Sequence, residues 1–221
     1  MTTIAVIGAG PGLGAAVARR FGREGFAVAL VSRNQERVDA LAAGLAGTGV
    51  TAGGFAADVR DPKALTAALA AAAETLGPVE VLQYSPVPHP DYMRPVLETR
   101  PDDMIGPIEF SLYGCVAAVR QVLPGMRSLG RGTVLLVNGG SAVIPHPERA
   151  GTSVAFAAES AYGHLLHDTL APDGIHVGQL VIPGAISAGH PRKDPDALAE
   201  TLWAMHQDRH GFRHFADDLD G

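Results

Sequence analysis

The chain has 221 residues, with 17 Lys+Arg against 23 Asp+Glu and a formal charge of −6. That length suits one domain over residues 1–221, and a mildly acidic chain without basic runs lacks the electrostatic footprint that nucleic-acid binding requires. The single cysteine, Cys115, excludes an internal disulfide and a cysteine-built metal cluster, and the apolar segment 4–9 is too short for a signal sequence or a membrane span. The expectation is a cytoplasmic protein with no membrane partner and no metal.

Apolar, β-branched runs alternate with alanine-rich helical stretches, the pattern of a parallel sheet wound by crossover helices. Hydrophobic residues are 47% of the chain but aromatics only 5%, so Ala, Val and Leu must fill the core. The first predicted strand, 3–8, runs into Gly8-Ala9-Gly10-Pro11-Gly12-Leu13-Gly14 and then a helix over 12–25. In that order Gly8 allows a tight turn, Gly12 lets the backbone approach a pyrophosphate, and Gly14 lets the helix pack closely. The N-terminus of the helix offers Leu13 and its neighbours as N–H donors to an anion.

The second strand, 27–32, ends in Ser32-Arg33-Asn34, about twenty residues after the glycine turn, where an NAD site would carry an acid for the ribose 2′-hydroxyl. A guanidinium at Arg33 suits a 2′-phosphate, which favours NADP over NAD. The alternative for Arg33 is a solvated residue at the start of the next helix, 34–47. A third strand, 51–57, is followed by Asp58-Val59, where a carboxylate can accept the adenine amino group. Asp58 can equally be the N-cap of the helix over 61–76.

The fourth strand, 79–84, ends in Tyr84, expected beside the nicotinamide ribose, and opens a stiff loop carrying His89 and Tyr92. A helical stretch over 101–128 contains Gly106-Pro107, which predicts a kink or a late start. The fifth strand, 133–138, leads to Ser141 and His146. A helix over 150–170 precedes the sixth strand, 176–182. After Pro183-Gly184 comes a short polar loop, 185–195, and then an amphipathic helix, 195–210, with Asp194-Pro195 as its cap. His206 and His210 stand four apart on it, but the surrounding sequence does not favour a metal.

Six anchors in order make this sequence similar to the short-chain dehydrogenase/reductase family. They are the Gly8-x3-Gly12-x-Gly14 spacing, Asp58-Val59, Val122-Leu123-Pro124-Gly125-Met126, Gly132-Thr133-Val134-Leu135, Asp173-Gly174-Ile175-His176 and Pro183-Gly184-Ala185-Ile186. The resemblance implies an α/β, Rossmann-type doubly wound parallel sheet of order 3-2-1-4-5-6, with room for a short seventh strand. It also implies a bound NAD(P), with Ile186 contacting the carboxamide through its backbone, and a homodimer or homotetramer. The family's catalytic Asn, Ser, Tyr and Lys fall on Ser111, Gly139, Thr152 and Phe156, so all four side chains are absent.

Hydride transfer to a carbonyl leaves an alkoxide that needs a proton, and a threonine hydroxyl is too weak an acid to supply it. General-acid catalysis worth about 10²–10⁴-fold is lost. Tyr162, ten residues along the helix from Thr152, is displaced by roughly 15 Å along the axis and is read as a packing or subunit-interface residue. Tyr113, on nearly the opposite helix face from Ser111, is read as structural. The weak candidates for a substitute donor are Tyr84, His89, Ser141 and His146, on loops and strand ends where open α/β sheets bind ligands.

The implied function is an NADP-preferring oxidoreductase acting on a small carbonyl or alcohol with a non-standard proton donor. The alternatives are a redox-inactive dinucleotide sensor or regulatory subunit, and a non-redox enzyme promoting cyclisation or isomerisation on the same fold.

Overall fold

Strands that are apolar on both faces need helices on both sides of the sheet, because either face left wet would undo the burial that drives folding. A computed structural model describes residues 1–219. Its strands are β1 (Thr3–Ile7), β2 (Ala27–Ser32), β3 (Ala52–Ala56), β4 (Val79–Tyr84), β5 (Gly132–Gly139), β6 (Ile175–Ile182) and a three-residue β7 (Arg213–Phe215). They form one parallel sheet of order β3-β2-β1-β4-β5-β6-β7, the expected order with the short seventh strand added. The order reverses between β1 and β4, which creates a crevice at their carboxyl ends.

The helices are α1 (Leu13–Arg23), α2 (Gln35–Ala46), α3 (Pro62–Leu76), α4 (Ile105–Ile108), α5 (Gly114–Leu129), α6 (Ala150–Leu170) and α7 (Pro195–Asp208). On one face Leu65, Leu69, Val119, Met126 and Leu136 pack beneath α3, α5 and α6. On the other, Ile4, Phe21, Leu30, Leu135 and Leu202 pack beneath α1, α2 and α7. The sole tryptophan joins α7 to α1: Trp203 meets Phe21 edge-on at 5.0 Å, and Arg20 lies 4.6 Å over its ring while donating to Glu200. Among the described residues, no helix is long and apolar enough to cross a membrane.

Two expected helices are altered, each for a local reason. The stretch 101–128 is broken into a 3₁₀ turn (Pro101–Met104), α4, a π-helical turn (Glu109–Tyr113) and α5. Pro107, which lacks an N–H, lies within α4, two residues before the π turn begins. Helix α7 stops at Asp208 rather than 210 because Arg209 turns left-handed at φ 51°, which frees the chain to form β7. His206 is then buried, bonded through Nδ1 to Thr133 Oγ1 at 2.8 Å, while His210 lies exposed beyond the helix.

Candidate functional site

The crevice at the switch point is a cleft of about 950 Å³. Gly8, Gly10, Ser32, Arg33, Asn34, Asp58, Val59 and His89 all line it, so eight residues picked from separate parts of the sequence meet in space. The glycine turn explains its floor. Gly8 has φ +90°, and a Cβ there would stand 2.6 Å from Pro86 Cα and from the Ser85 carbonyl, so only glycine fits. Gly10 and Gly12 are the opposite case, with no atom within 4 Å of the place a Cβ would take.

Gly12 is also the N-cap of α1 and provides no side-chain cap; Ala15 N donates to Gly10 O at 2.9 Å, which leaves the Leu13 and Gly14 N–H groups for an anion. Gly14 serves packing, since a Cβ would meet Ala9 Cα at 2.9 Å. An open glycine cradle in front of an uncapped helix fits a diphosphate.

The rim over β2 is basic. Arg33 precedes α2 on an exposed connection, and Asn34 caps that helix by accepting from Arg37 N at 2.9 Å. Arg37, in the first turn of α2, lines the same cleft and is a basic residue that the sequence analysis does not single out. Among the described residues neither guanidinium is in an ion pair, whereas Arg60 nearby is held by Glu109 at 2.7 Å. Asp58 is not the cap of α3. Asp61 fills that role by accepting from Lys63 N and Ala64 N, and Asp58 instead accepts from Arg60 N at 2.9 Å on the cleft wall.

Tyr84 does not line the cleft. The strand pleat turns it away from the cleft into the core under α5, where it is 1% exposed. There its hydroxyl donates to the Phe110 carbonyl inside the π turn, in space left by Gly114, where a Cβ would stand 2.5 Å from it. Burial raises its phenol well above the ordinary value, and its hydroxyl is tied to the core through the Phe110 carbonyl.

The other family positions are closed as well. Ser111 and Thr152 are buried, with the Thr152 hydroxyl donating back to Arg149 O at 3.2 Å, and Phe156 lies against Gly139. The β4–α4 loop is stitched over the start of α6 by Ala150 N donating to Arg94 O (2.9 Å) and Val96 N to Pro147 O (2.8 Å). The Tyr92 carbonyl packs against Gly151, beside Thr152.

Ser141 is half-buried in a 3₁₀ turn, and exposed His146 accepts from Glu148 N; neither lines the cleft. Pro183, Gly184 and Ile186 lie beyond the end of β6, outside the cleft. Half-buried Tyr162 packs on the core, and burial pushes its phenol up to about 12. Tyr113 is exposed.

One buried acid escaped the sequence reading. Glu159, on α6, receives the Ser111 hydroxyl, and burial pushes its carboxyl up to about 8 against that hydrogen bond. Near it Asn138 accepts from Gln179, which in turn accepts from Ser160 and Arg213. The signal in the sequence was a carboxylate on the Thr152, Phe156, Gly163 stripe of an otherwise apolar helix face. Among the described residues no group of three His, Cys, Asp or Glu side chains is arranged to hold a metal.

Comparison with known proteins agrees with this arrangement. The short chain dehydrogenase family profile matches residues 2–198. The short-chain reductase protein NovJ of Streptomyces niveus is 30% identical over 89% of this chain and 72% of its own length. Pig dehydrogenase/reductase SDR family member 4 is 28% identical over 87% and 65%, and the glycine betaine reductase ATRR of Emericella nidulans is 32% identical over 60% and 10%. The chain thus spans only part of each relative's length.

Among solved structures, a short-chain dehydrogenase from Rhodopseudomonas palustris superposes with a TM-score of 0.86 at 26% identity, covering 98% of both chains. L-sorbose reductase from Gluconobacter frateurii, complexed with NADPH and L-sorbose, has the same fold at a TM-score of 0.89 and 21% identity, covering 100% of this chain and 97% of the other. With the profile matched along most of its length and the sheet order, glycine turn and switch-point cleft in place, the chain belongs to the short chain dehydrogenase family.

Proposed function

We propose that the protein binds NADP(H) in the switch-point cleft and serves as an NADP-preferring oxidoreductase on a small carbonyl or alcohol. The observation that carries this is the pairing of an open glycine cradle with two guanidinia, Arg33 and Arg37, on one cleft rim, neither in an ion pair among the described residues. The cradle and the α1 N-terminus hold the diphosphate, Asp58 accepts the adenine amino group, and Arg33 with Arg37 takes the 2′-phosphate. NADPH, when bound, supplies a hydride. Of the four substitute donors weighed, His89 alone lines the cleft, and its ring, 3.4 Å from Asp91, supports reading it as the proton donor.

A second reading, a nucleotide sensor without redox chemistry, is favoured by the buried Thr152 and Phe156, which leave no acid at the usual proton-donor position. Assembly as a homo-oligomer is supported by an apolar stripe on α6, where Val154, Ala157, Ala161 and Leu165 are exposed at helical spacing.

Titration of the purified protein with NADPH and NADH, followed by nucleotide fluorescence and then a panel of small carbonyls, tests these readings. NADPH binds more tightly, and Arg33→Ala or Arg37→Ala weakens it about tenfold, the ~1.4 kcal/mol of one charge-assisted contact, while leaving NADH unchanged. Loss of activity but not of binding in His89→Gln identifies the donor. Binding without turnover of any carbonyl establishes the sensor, and no binding of either nucleotide defeats both readings.

A further inference from the structure

The cleft stops halfway along the sheet. Its walls come from the ends of β1 and β2, the turn after β3, Phe110 and the segment that leaves β4, and among the described residues none comes from the ends of β5 and β6 or from α6. The segment after β4 forms the far wall with Pro86, Val87, His89 and Tyr92 and then crosses to the start of α6. Three prolines within five residues, Pro86, Pro88 and Pro90, fix φ along it, so it crosses as a stiff strap.

Tyr92 anchors this strap. Its ring stands 2.8 Å from the place a Cβ on Gly106 would take, and its carbonyl 2.7 Å from the place of one on Gly151. Neither glycine has a positive φ, so the missing side chains serve close approach and not a turn. The ring also meets Phe110 at 5.7 Å between centroids. Beyond it the bonds from Ala150 N to Arg94 O and from Val96 N to Pro147 O fasten the strap to the start of α6.

The ground on the far side of the strap is filled. Ser111, Thr152 and Phe156 are buried, and Gly140, just past β5, lies against the turn after β6, 3.6 Å from Pro183 Cα at the place of a Cβ. A dinucleotide lying across the switch point sets one nucleotide over β1–β3 and the other over β4–β6. The adenine, the 2′-phosphate and the diphosphate of NADPH then fall where the cradle, Asp58, Arg33 and Arg37 are open to them, and the nicotinamide falls where the strap lies.

Building on the nucleotide reading above, we infer that the strapped cleft recognises the 2′-phosphoadenosine diphosphate part of NADP(H) alone, and that the nicotinamide ring gains a place only when the strap lifts. The ligand class is an adenosine 5′-diphosphate carrying a 2′-phosphate, whatever its diphosphate bears. With the strap closed the protein senses the nucleotide, and lifting it is the step that admits the ring.

The test compares NADPH with 2′-monophosphoadenosine 5′-diphosphoribose, which has the same phosphates and lacks only the nicotinamide, by calorimetry. In the wild type the two Kd values agree within about threefold, a difference smaller than one hydrogen bond to a charged group makes. V96P removes a strap bond where the backbone is prepared for proline, since Pro95 before it is extended at ψ 144°. It shifts the ratio of the two Kd values about threefold toward NADPH, and V96P combined with Y92A shifts it about tenfold or more, because each raises the population with the strap open. The ratio is taken within each variant, so partial loss of folded protein does not affect it.

Should neither variant fold, amide exchange in the wild type decides: the Val96 and Ala150 N–H groups stay as protected with NADPH bound as without it. Loss of their protection on NADPH binding overturns the inference. So does wild-type protein that binds NADPH more than about threefold tighter than the ringless nucleotide, or a ratio that both variants leave unchanged. These results leave the nucleotide reading standing, whereas wild-type protein that binds neither ligand overturns both.

Discussion

The two halves of the sheet's carboxyl edge differ in what they leave available. Over β1–β3 the backbone is open: Gly10 and Gly12 face empty space, α1 has no cap, and Arg33 and Arg37 have no partner among the described residues. Over β4–β6 the polar groups are largely spent. The Tyr84 hydroxyl is given to Phe110, Thr152 to Arg149 and Ser111 to Glu159, and a loop is hydrogen-bonded across the start of α6. Unsatisfied polar groups at a surface are tolerated when a ligand or water meets them, and buried ones are not, so the first half is arranged for an outside partner and the second for itself.

The strongest challenge to that contrast uses the glycine turn. Gly8→Ala places a methyl group against the Pro86 backbone in a left-handed residue, and ~3 kcal/mol or more of stability is lost, read as a collapse in thermal midpoint. Gly12→Ala meets nothing, so the thermal midpoint stays put while NADPH affinity falls by more than about tenfold. If both variants melt early, the open half is a structural turn and not a cradle.

Glu159 probes the closed half. Its carboxyl titrates at about 8 in the fold against about 4.3 unfolded, so the native state holds the extra proton. The associated stability is whole below the unfolded value and is lost as pH rises through the folded one. Glu159→Gln removes that loss, and its advantage in unfolding free energy over the wild type grows between roughly pH 4.5 and pH 8, reaching several kcal/mol at about 1.36 kcal/mol per unit. A pH-independent difference would mean that the acid is not closed away from water.

The smallest expected effect is at Tyr84. Tyr84→Phe leaves the Phe110 carbonyl short of one donor in the core, at a cost of about 1 kcal/mol by chemical denaturation. Nucleotide affinity stays unchanged, because the hydroxyl points away from the cleft. A drop in affinity would return Tyr84 to the ligand side.

Legibility in the sequence followed the range of the interactions. Six strands, the glycine turn and the Arg33 rim were readable because each is specified by neighbours along the chain: a β-branched run, a turn residue, a cap. The seventh strand is weakly specified in sequence, being three residues held by pairing with β6. Tyr84 was misplaced because a strand's last residue reads the same in sequence whether its side chain faces the crevice or the core. Glu159 was missed because it acquires its meaning from a residue 48 positions away, Ser111.

The sequence alone determined the parallel α/β sheet, the family and a phosphate-binding turn, since periodicity and glycine spacing are local and repeat along the chain. Only the tertiary structure decided which half of the crevice is open. Whether a hydroxyl or a carboxylate remains free depends on what packs against it, and those partners come from distant parts of the chain.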